Sequence, residues 1–281
     1  MIVLRSLLEL NTWKASIGMQ KLGFVPTMGA LHQGHISLVK QSLVEDDQTL
    51  VSIYVNPTQF NNPEDLDGYP STLEEDFRLL RGTGEITVYL PSQKDLYPNG
   101  LHARDFNLGS LGAHMEGAGR PGHFEGMATV VTRFFEIIQP HRAFFGEKDF
   151  QQLAIIKKVV TDECWPVEII PGATLREKDG LAMSSRNLRL SPEQRSAAKE
   201  IYRILSQWVE IADFTLLKPR TAQRELIQEI NSIHHLRVEY LEFSRAENLI
   251  PVDRFELNVP TRVFTAVMCG KVRLIDNLPL F

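Results

Sequence analysis

The sequence contains very little cysteine. Its 281 residues include two cysteines, Cys164 and Cys269, which lie far apart and outside any CxxC or His/Cys cluster. Disulfide frameworks and structural zinc sites need several closely spaced ligands, so neither is expected. We therefore predict two buried free thiols and a cytoplasmic protein.

The sequence also lacks an excess of basic residues and a long apolar run. The formal net charge is −5, which argues against nucleic acid as the main partner but leaves room for a local basic pocket. Arg5 and Glu9 interrupt the first apolar stretch, which is not typical of a signal peptide. No stretch approaches the ~20 apolar residues of a membrane-spanning helix, so we predict no membrane partner.

Strand-like and helix-like patterns alternate up to about residue 175. Apolar runs at 22–26, 50–55, 86–90, 142–145 and 167–170 predict strands. Segments with helical spacing begin near His35, Glu74, Phe124 and Asp149. This alternation predicts an α/β domain with a Rossmann-like, mostly parallel sheet wrapped by helices.

A different pattern follows residue 175. Ser191 to Gln194 reads SPEQ, a capping box with proline at the first helical position, and predicts a helix to about residue 208. A linker at 213–219, a second helix to about 233 and strand-like runs at 238–243, 262–268 and 272–275 come next. We predict two domains: residues 1–175 and a smaller α+β domain at 176–281.

A glycine-containing turn joins the first strong strand to a helix. Residues 26–35 read PTMGALHQGH, at the carboxyl edge where open α/β sheets bind ligands. A helix N-terminus offers N–H groups to phosphate, and His32 and His35 would share a helix face if the helix includes both. The alternative is that His32 caps the helix and His35 is an ordinary surface residue. A third zinc ligand is lacking.

Two more segments offer donors for phosphate. Residues 144–149 read FFGEKD, in which Lys148 can neutralise phosphate and Asp149 can instead cap the next helix. Residues 179–187 read DGLAMSSRN, a donor-rich loop or, alternatively, a solvated turn before the Ser191 cap. The polar segments 56–60 and 120–124 fit either ligand contacts or plain loops and caps.

Five blocks, in this order and spacing, resemble the pantothenate synthetase (pantoate–β-alanine ligase) family: FVPTMGALHQGH, VNPTQF, EGAGRPGHFEG, FFGEKDFQQL and DGLAMSSRN. The resemblance is dense over residues 20–190 and continues weakly through 272–277. His32–His35 also resembles the HxGH signature of the nucleotidyltransferase superfamily. The family implies that ATP, with Mg²⁺, activates pantoate as pantoyl adenylate, releasing pyrophosphate. β-Alanine then displaces AMP to give pantothenate. A homodimer is also implied.

The resemblance assigns roles to individual residues. His35, His32, Lys148 and Arg186 would be catalytic, Gln59 and Gln152 would hold pantoate, with Gln59 also near β-alanine, and Asp76 would correspond to a magnesium-associated position. The ATP site would comprise Met28, Gly29, Ala30, Leu31, His32, Gln33, Gly34, His35, Gly146, Glu147, Lys148, Asp149, Leu175, Met183, Ser184, Ser185 and Arg186. Two positions depart from the family pattern: Ser71 replaces a frequent Arg, and Glu75 stands where some relatives have Asp.

Three other functions remain open on the sequence. A nucleotidyltransferase could move AMP onto a phosphate ester and stop there, which a test for carboxylate-driven pyrophosphate exchange would discriminate. The acidic balance argues against a tRNA synthetase or tRNA-binding protein. Retention of both histidines, Lys148 and Arg186 argues against a non-catalytic nucleotide sensor. The phosphate-binding sequence GxxxxGK[ST] is absent.

Overall fold

The computed structural model describes Met1 to Phe281, apart from the side chain of Asp65. The chain divides into two compact units. The first comprises Met1–Leu108, Arg120–Glu147 and Ile155–Ala173, and the second comprises Gly109–Gly119, Lys148–Ala154 and Thr174–Phe281.

A parallel sheet forms the centre of the first unit. Its strands are β1 (Ile2–Leu4), β2 (Leu22–Thr27), β3 (Gln48–Ile53), β4 (Thr87–Tyr89), β5 (Arg142–Gly146) and β6 (Glu168–Gly172), in the order β1-β4-β3-β2-β5-β6. Every pair of neighbours is parallel. The predicted Rossmann-like sheet is confirmed, with the short edge strand β1 in addition.

Helices connect the strands in chain order. They are α1 (Leu7–Ile17), α2 (Gln33–Glu45), α3 (Pro63–Asp67), α4 (Leu73–Arg81), α5 (Gln93–Leu96), α6 (Met115–Gly119), α7 (His123–Ile138), α8 (Phe150–Asp162), α9 (Pro192–Ile211) and α10 (Pro219–Asn231). None of these described helices is long and apolar enough to cross a membrane.

Both faces of the parallel sheet are covered. Successive residues on a strand point to opposite faces, yet Phe24 and Val25 on β2 are both fully buried. Phe24 meets Phe134 of α7, with ring centroids 5.3 Å apart. Val25 belongs to the cluster that includes Ile36 of α2 and residues of α4. Helices on each face therefore hold β2 in place.

The second unit is α+β, as predicted. Strands β7 (Leu236–Arg245), β8 (Thr261–Cys269) and β9 (Val272–Pro279) form an antiparallel sheet that shares one core with α9 and α10. The capping box is confirmed, since Gln194 N donates to Ser191 Oγ and Ser191 N donates to Gln194 Oε1. Cys269 is buried here.

The prediction of two buried thiols is wrong for Cys164, which is exposed. This residue follows the end of α8 in a left-handed conformation, with φ 54°, so it lies in a turn rather than on an apolar face.

Candidate active site

The turn between β2 and α2 is held by a buried carboxylate. Gly29 and Ala30 both have positive φ angles, 81° and 48°. Asp76 of α4, which is 1% exposed, accepts hydrogen bonds from Ala30 N (3.1 Å) and Leu31 N (2.8 Å). The main-chain amides of these two residues, which precede the helix, are therefore bonded to Asp76.

His32 and His35 form a capping box at the start of α2. The helix begins at Gln33, two residues earlier than predicted, and His32 is its N-cap. His32 Nδ1 accepts from Gly34 N (3.2 Å), and His35 Nδ1 accepts from His32 N (3.3 Å). The capping alternative for His32 is confirmed, whereas His35 is more than a surface residue.

This capping fixes the chemistry of the two rings. Because each Nδ1 accepts an amide hydrogen, a neutral ring carries its proton on Nε2 and can donate it to an anion. The ring centroids lie 4.1 Å apart. The pair arises from the cap rather than from a shared helix face, since His32 precedes the helix. The amides of Ala30, Leu31 and Gly34 already bond within the protein.

Gln59 lies beside Met28, although the two come from separate sequence blocks. Gln59 ends a short 3₁₀ turn after β3 and is 8% exposed. Its Nε2 donates to Met28 Sδ (3.3 Å), and its Oε1 accepts from Asn56 Nδ2 (3.0 Å). The same Asn56 amide donates to Gly126 O (3.1 Å). This network fixes the rotamer of Gln59 and leaves one of its two N–H groups for a ligand.

Two polar segments singled out in the sequence meet around Gln59. His123 Nδ1 lies 2.7 Å from Gln59 O, and His123 Nε2 lies 3.1 Å from Arg120 Nη1. Tyr97, which the sequence did not indicate, donates its hydroxyl to Asn56 Oδ1 (2.6 Å). Burial raises the pKa of Tyr97, so it acts as a neutral donor.

A glycine permits this close approach of α7. A Cβ at Gly126 would stand 2.2 Å from Thr58 O and 2.8 Å from Gln59 N. Only a residue without a side chain lets the helix lie against the 3₁₀ turn at this distance. Gly126 was not assigned a role, although it ends the block EGAGRPGHFEG.

Two residues predicted to bind ATP, Lys148 and Asp149, follow β5 and belong to the second unit. Gly146 ends that strand, and Glu147–Asp149 form a 3₁₀ turn before α8. Lys148 Nζ lies 3.5 Å from Asp149 Oδ1, and Asn277 Nδ2 of β9 donates to Lys148 O (3.0 Å). The β9 contact, which the sequence did not reveal, fixes the main chain from which Lys148 projects.

Neighbouring glutamines on α8 have different environments. Gln151 is 5% exposed and donates to Leu111 O (2.7 Å) and His114 O (2.9 Å), while it accepts from Glu116 N (3.1 Å). It holds the segment Gly109–Gly119. Gln152 is only partly buried, so its side chain remains the candidate for substrate contact.

The loop that contains the predicted phosphate clamp is a small hairpin. Met183 N donates to Leu175 O (3.0 Å), which brings these two predicted ATP residues together. Arg195 pairs with both Glu177 and Asp179. Leu181 and Ala182 are buried, whereas Asp179 is exposed in the turn, so only part of this segment is a solvated turn. Ser184 Oγ then accepts from Arg186 N (3.3 Å) and caps the 3₁₀ turn Ser185–Arg189.

A partly buried ion pair also ties distant parts of the second unit together. Both terminal nitrogens of Arg273 donate to Glu116 (2.7 and 2.8 Å), and Tyr240 donates its hydroxyl to the same carboxylate (2.8 Å). Burial raises the pKa of Tyr240. The pair spans 157 positions, a separation for which the sequence carries no local signal.

No cluster of three or more His, Cys, Asp or Glu among the described residues could hold a metal ion. Asp76, the residue associated with magnesium by resemblance, already uses both oxygens in hydrogen bonds to Ala30, Leu31 and Thr72. Its surroundings do not fit a protein-bound metal.

Comparisons with known proteins give one consistent result. The family model of pantoate-beta-alanine ligase matches residues 2–279. A pantothenate synthetase of Bacteroides fragilis is 45% identical over 279 residues, covering 96% of this chain and 94% of that protein. A pantothenate synthetase of Porphyromonas gingivalis is 44% identical over 257 residues, covering 92% of this chain and 90% of that protein.

Solved structures agree. The pantothenate synthetase of Thermus thermophilus superposes with a TM-score of 0.91 at 40% identity, covering 100% of both chains. The pantoate-beta-alanine ligase of Francisella tularensis, in complex with β,γ-ATP and β-alanine, has a TM-score of 0.84 at 40% identity. It covers 100% of this chain and 98% of that one.

Proposed function

Because the chain belongs to the pantoate-beta-alanine ligase family, we propose a division of labour among its site residues. The protein is an enzyme that condenses (R)-pantoate with β-alanine and converts ATP to AMP and pyrophosphate. The observation that supports the site assignment best is the capped pair His32–His35 at the carboxyl edge of β2.

The first step is adenylation. A carboxylate oxygen of pantoate attacks the α-phosphorus of ATP, the new O–P bond forms, and pyrophosphate leaves. Charge moves onto the phosphate oxygens during this step, and fixed donors act most strongly there. The Nε2–H groups of His32 and His35 supply such donors, and Lys148 and Arg186 supply cations. The remaining predicted ATP residues shape the nucleotide site.

Pantoate is held for this attack by glutamine side chains. The Gln59 rotamer is set by Asn56 and Met28, so its second N–H points in a fixed direction. Gln152 is the other assigned contact. Fixing the acid relative to the α-phosphate removes much of the entropic part of the barrier.

The second step is aminolysis. The neutral amine of β-alanine attacks the acyl carbon, the C–N bond forms, the C–O bond to AMP breaks, and the amine loses a proton. A carboxylate is a poor acyl donor, and adenylation supplies the leaving group. A covalent acyl-enzyme is not required.

We also propose Mg²⁺ as a complex with the triphosphate, because the described residues supply no cluster of ligands for it. A homodimer is proposed on resemblance, a cytoplasmic location on the scarcity of cysteine, and a boundary between two domains near residue 175 on the sequence pattern. Light scattering tests the dimer, and limited proteolysis tests the boundary.

The products decide the function. ATP, Mg²⁺, pantoate and β-alanine are incubated with the enzyme and the mixture is analysed by mass spectrometry. Pantothenate with equal amounts of AMP and pyrophosphate is expected. Stoichiometric ADP and phosphate would contradict the adenylate route, and AMP transfer to a phosphate ester would indicate a plain nucleotidyltransferase.

A further inference from the structure

The carboxylate of Asp76 is placed to shape the turn that precedes the histidine pair. Its Oδ2 accepts from Ala30 N, and its Oδ1 accepts from Leu31 N and from Thr72 Oγ1 (3.1 Å). Magnesium keeps several of its water ligands and usually binds proteins through only one or two carboxylates. A carboxylate that is 1% exposed and accepts three hydrogen bonds is not accessible to such a hydrated ion.

The turn depends on this carboxylate for its conformation. Ala30 has φ 48°, a left-handed conformation that residues other than glycine, Asn and Asp rarely adopt. At Gly29 an added Cβ would stand 3.1 Å from Asp76 Oδ2, so the carboxylate lies directly against the turn. Hydrogen bonds to an ionised acceptor are stronger than neutral ones, and two of them hold consecutive amides here.

The held residues lead straight into the capping box. Leu31 is followed by His32, whose Nδ1 and main-chain N–H make the two bonds that orient both imidazoles. A shift of the turn therefore changes the direction in which both Nε2–H groups point. Misplacement by about 1 Å can lower a rate by about 100-fold.

We propose that Asp76 is a positioning residue for the His32–His35 pair and not a ligand of Mg²⁺. This inference rests on the proposed function for its kinetic consequence, whereas its structural part stands on the hydrogen bonds alone.

The test compares three variants. Asp76→Asn keeps the side-chain shape but replaces one acceptor oxygen by a donor, which then faces an N–H of the turn. Thr72→Val removes a hydrogen bond to Asp76 and leaves its carboxylate in place. Glu75→Gln is the matched control, because this neighbouring carboxylate is 53% exposed, pairs with Arg78 and makes no bond to the turn among those described.

Two measurements are made on each variant, after thermal melts confirm folding. Amide hydrogen exchange at Ala30 and Leu31 is followed by NMR without substrates. Single-turnover formation of pantoyl adenylate is followed over a range of Mg²⁺ concentrations. Asp76→Asn is expected to accelerate exchange at both amides at least ~10-fold and to lower the adenylation rate ~10–100-fold. The half-saturating Mg²⁺ concentration should stay unchanged.

The other variants complete the test. Thr72→Val should accelerate amide exchange at Ala30 and Leu31 and lower the adenylation rate by about 2–5-fold each. This variant decides the question if Asp76→Asn does not fold. Glu75→Gln should match the wild type in both measurements. Unchanged amide exchange in the folded variants, or recovery of the rate at high Mg²⁺, would overturn the proposal. If the wild type forms no adenylate, the proposed function fails, yet the exchange data still decide whether Asp76 holds the turn.

Discussion

Replacing Gly126 by alanine tests how closely α7 must approach the 3₁₀ turn Pro57–Gln59. The added Cβ would stand 2.2 Å from Thr58 O and 2.8 Å from Gln59 N. Both are main-chain atoms, so no side-chain rotation can relieve the overlap. The helix or the turn must retreat by about 1 Å to reach ordinary van der Waals contact.

The expected loss of stability follows from this displacement. Overpacking typically costs about 1–3 kcal/mol. The retreat also lengthens the bond from Asn56 Nδ2 to Gly126 O (3.1 Å), and losing such a hydrogen bond costs about 0.5–1.5 kcal/mol. The sum, about 1.5–4.5 kcal/mol, corresponds to a fall in Tm of roughly 3–18 °C for a protein of this size. Because Gln59 moves with the turn, the KM for pantoate should rise as well.

The matched control is Gly119→Ala, where an added Cβ would meet nothing within 4 Å. Differential scanning calorimetry and initial-rate kinetics are run on both variants and the wild type. The control should behave like the wild type. If Gly126→Ala melts within about 1 °C of the control and keeps its KM for pantoate, the close packing of α7 against the turn is not important for the site.

Three further outcomes are expected. His35→Ala and Lys148→Ala should each lower the single-turnover rate of adenylate formation by at least ~10-fold without unfolding the protein, since loss of one transition-state donor typically costs about 10²–10³. His35→Ala also removes one bond of the capping box and should lower the Tm slightly. Wild-type rates would mean that the phosphate site is misplaced. ATP should increase hydrogen-exchange protection of residues 183–189, whereas the hairpin anchored by Arg195 should already be protected without ATP. Equal protection of 183–189 with and without ATP would contradict the phosphate-clamp hypothesis. Pantoate alone should support exchange of labelled pyrophosphate into ATP, and a strict requirement for β-alanine would indicate a concerted path.

Most of the architecture could be predicted because its signals are local. Strand β2 was recognised as a continuous apolar run, which is what burial on both faces requires. The start of α9 was recognised because Ser191 and Gln194 form a standard capping box. Strand β1 was missed: it has three residues and pairs with β4, whose Thr87 lies opposite Ile2, so the neighbouring sequence gives it no pattern.

The sequence named candidate members of the site but not the contacts among them. The start of α2 was placed late because the capping rules favour Ser, Thr, Asp and Asn, whereas here an imidazole is the cap. Asp76 lies 46 positions from Ala30, and the sequence around neither residue indicates that the two form a hydrogen bond. The contact of Gly126 with Thr58 depends on the packing of two elements. Such pairings are products of the fold rather than of any local pattern.

The route of one oxygen atom tests the central claim most directly. Pantoate labelled with ¹⁸O in both carboxylate positions is incubated with ATP, Mg²⁺, β-alanine and enzyme, and the products are analysed by mass spectrometry. If pantoate attacks the α-phosphorus and β-alanine then displaces AMP, one ¹⁸O appears in AMP, one remains in the amide carbonyl of pantothenate, and pyrophosphate carries none. Label in inorganic phosphate or pyrophosphate, or unlabelled AMP formed together with pantothenate, would contradict the acyl-adenylate mechanism.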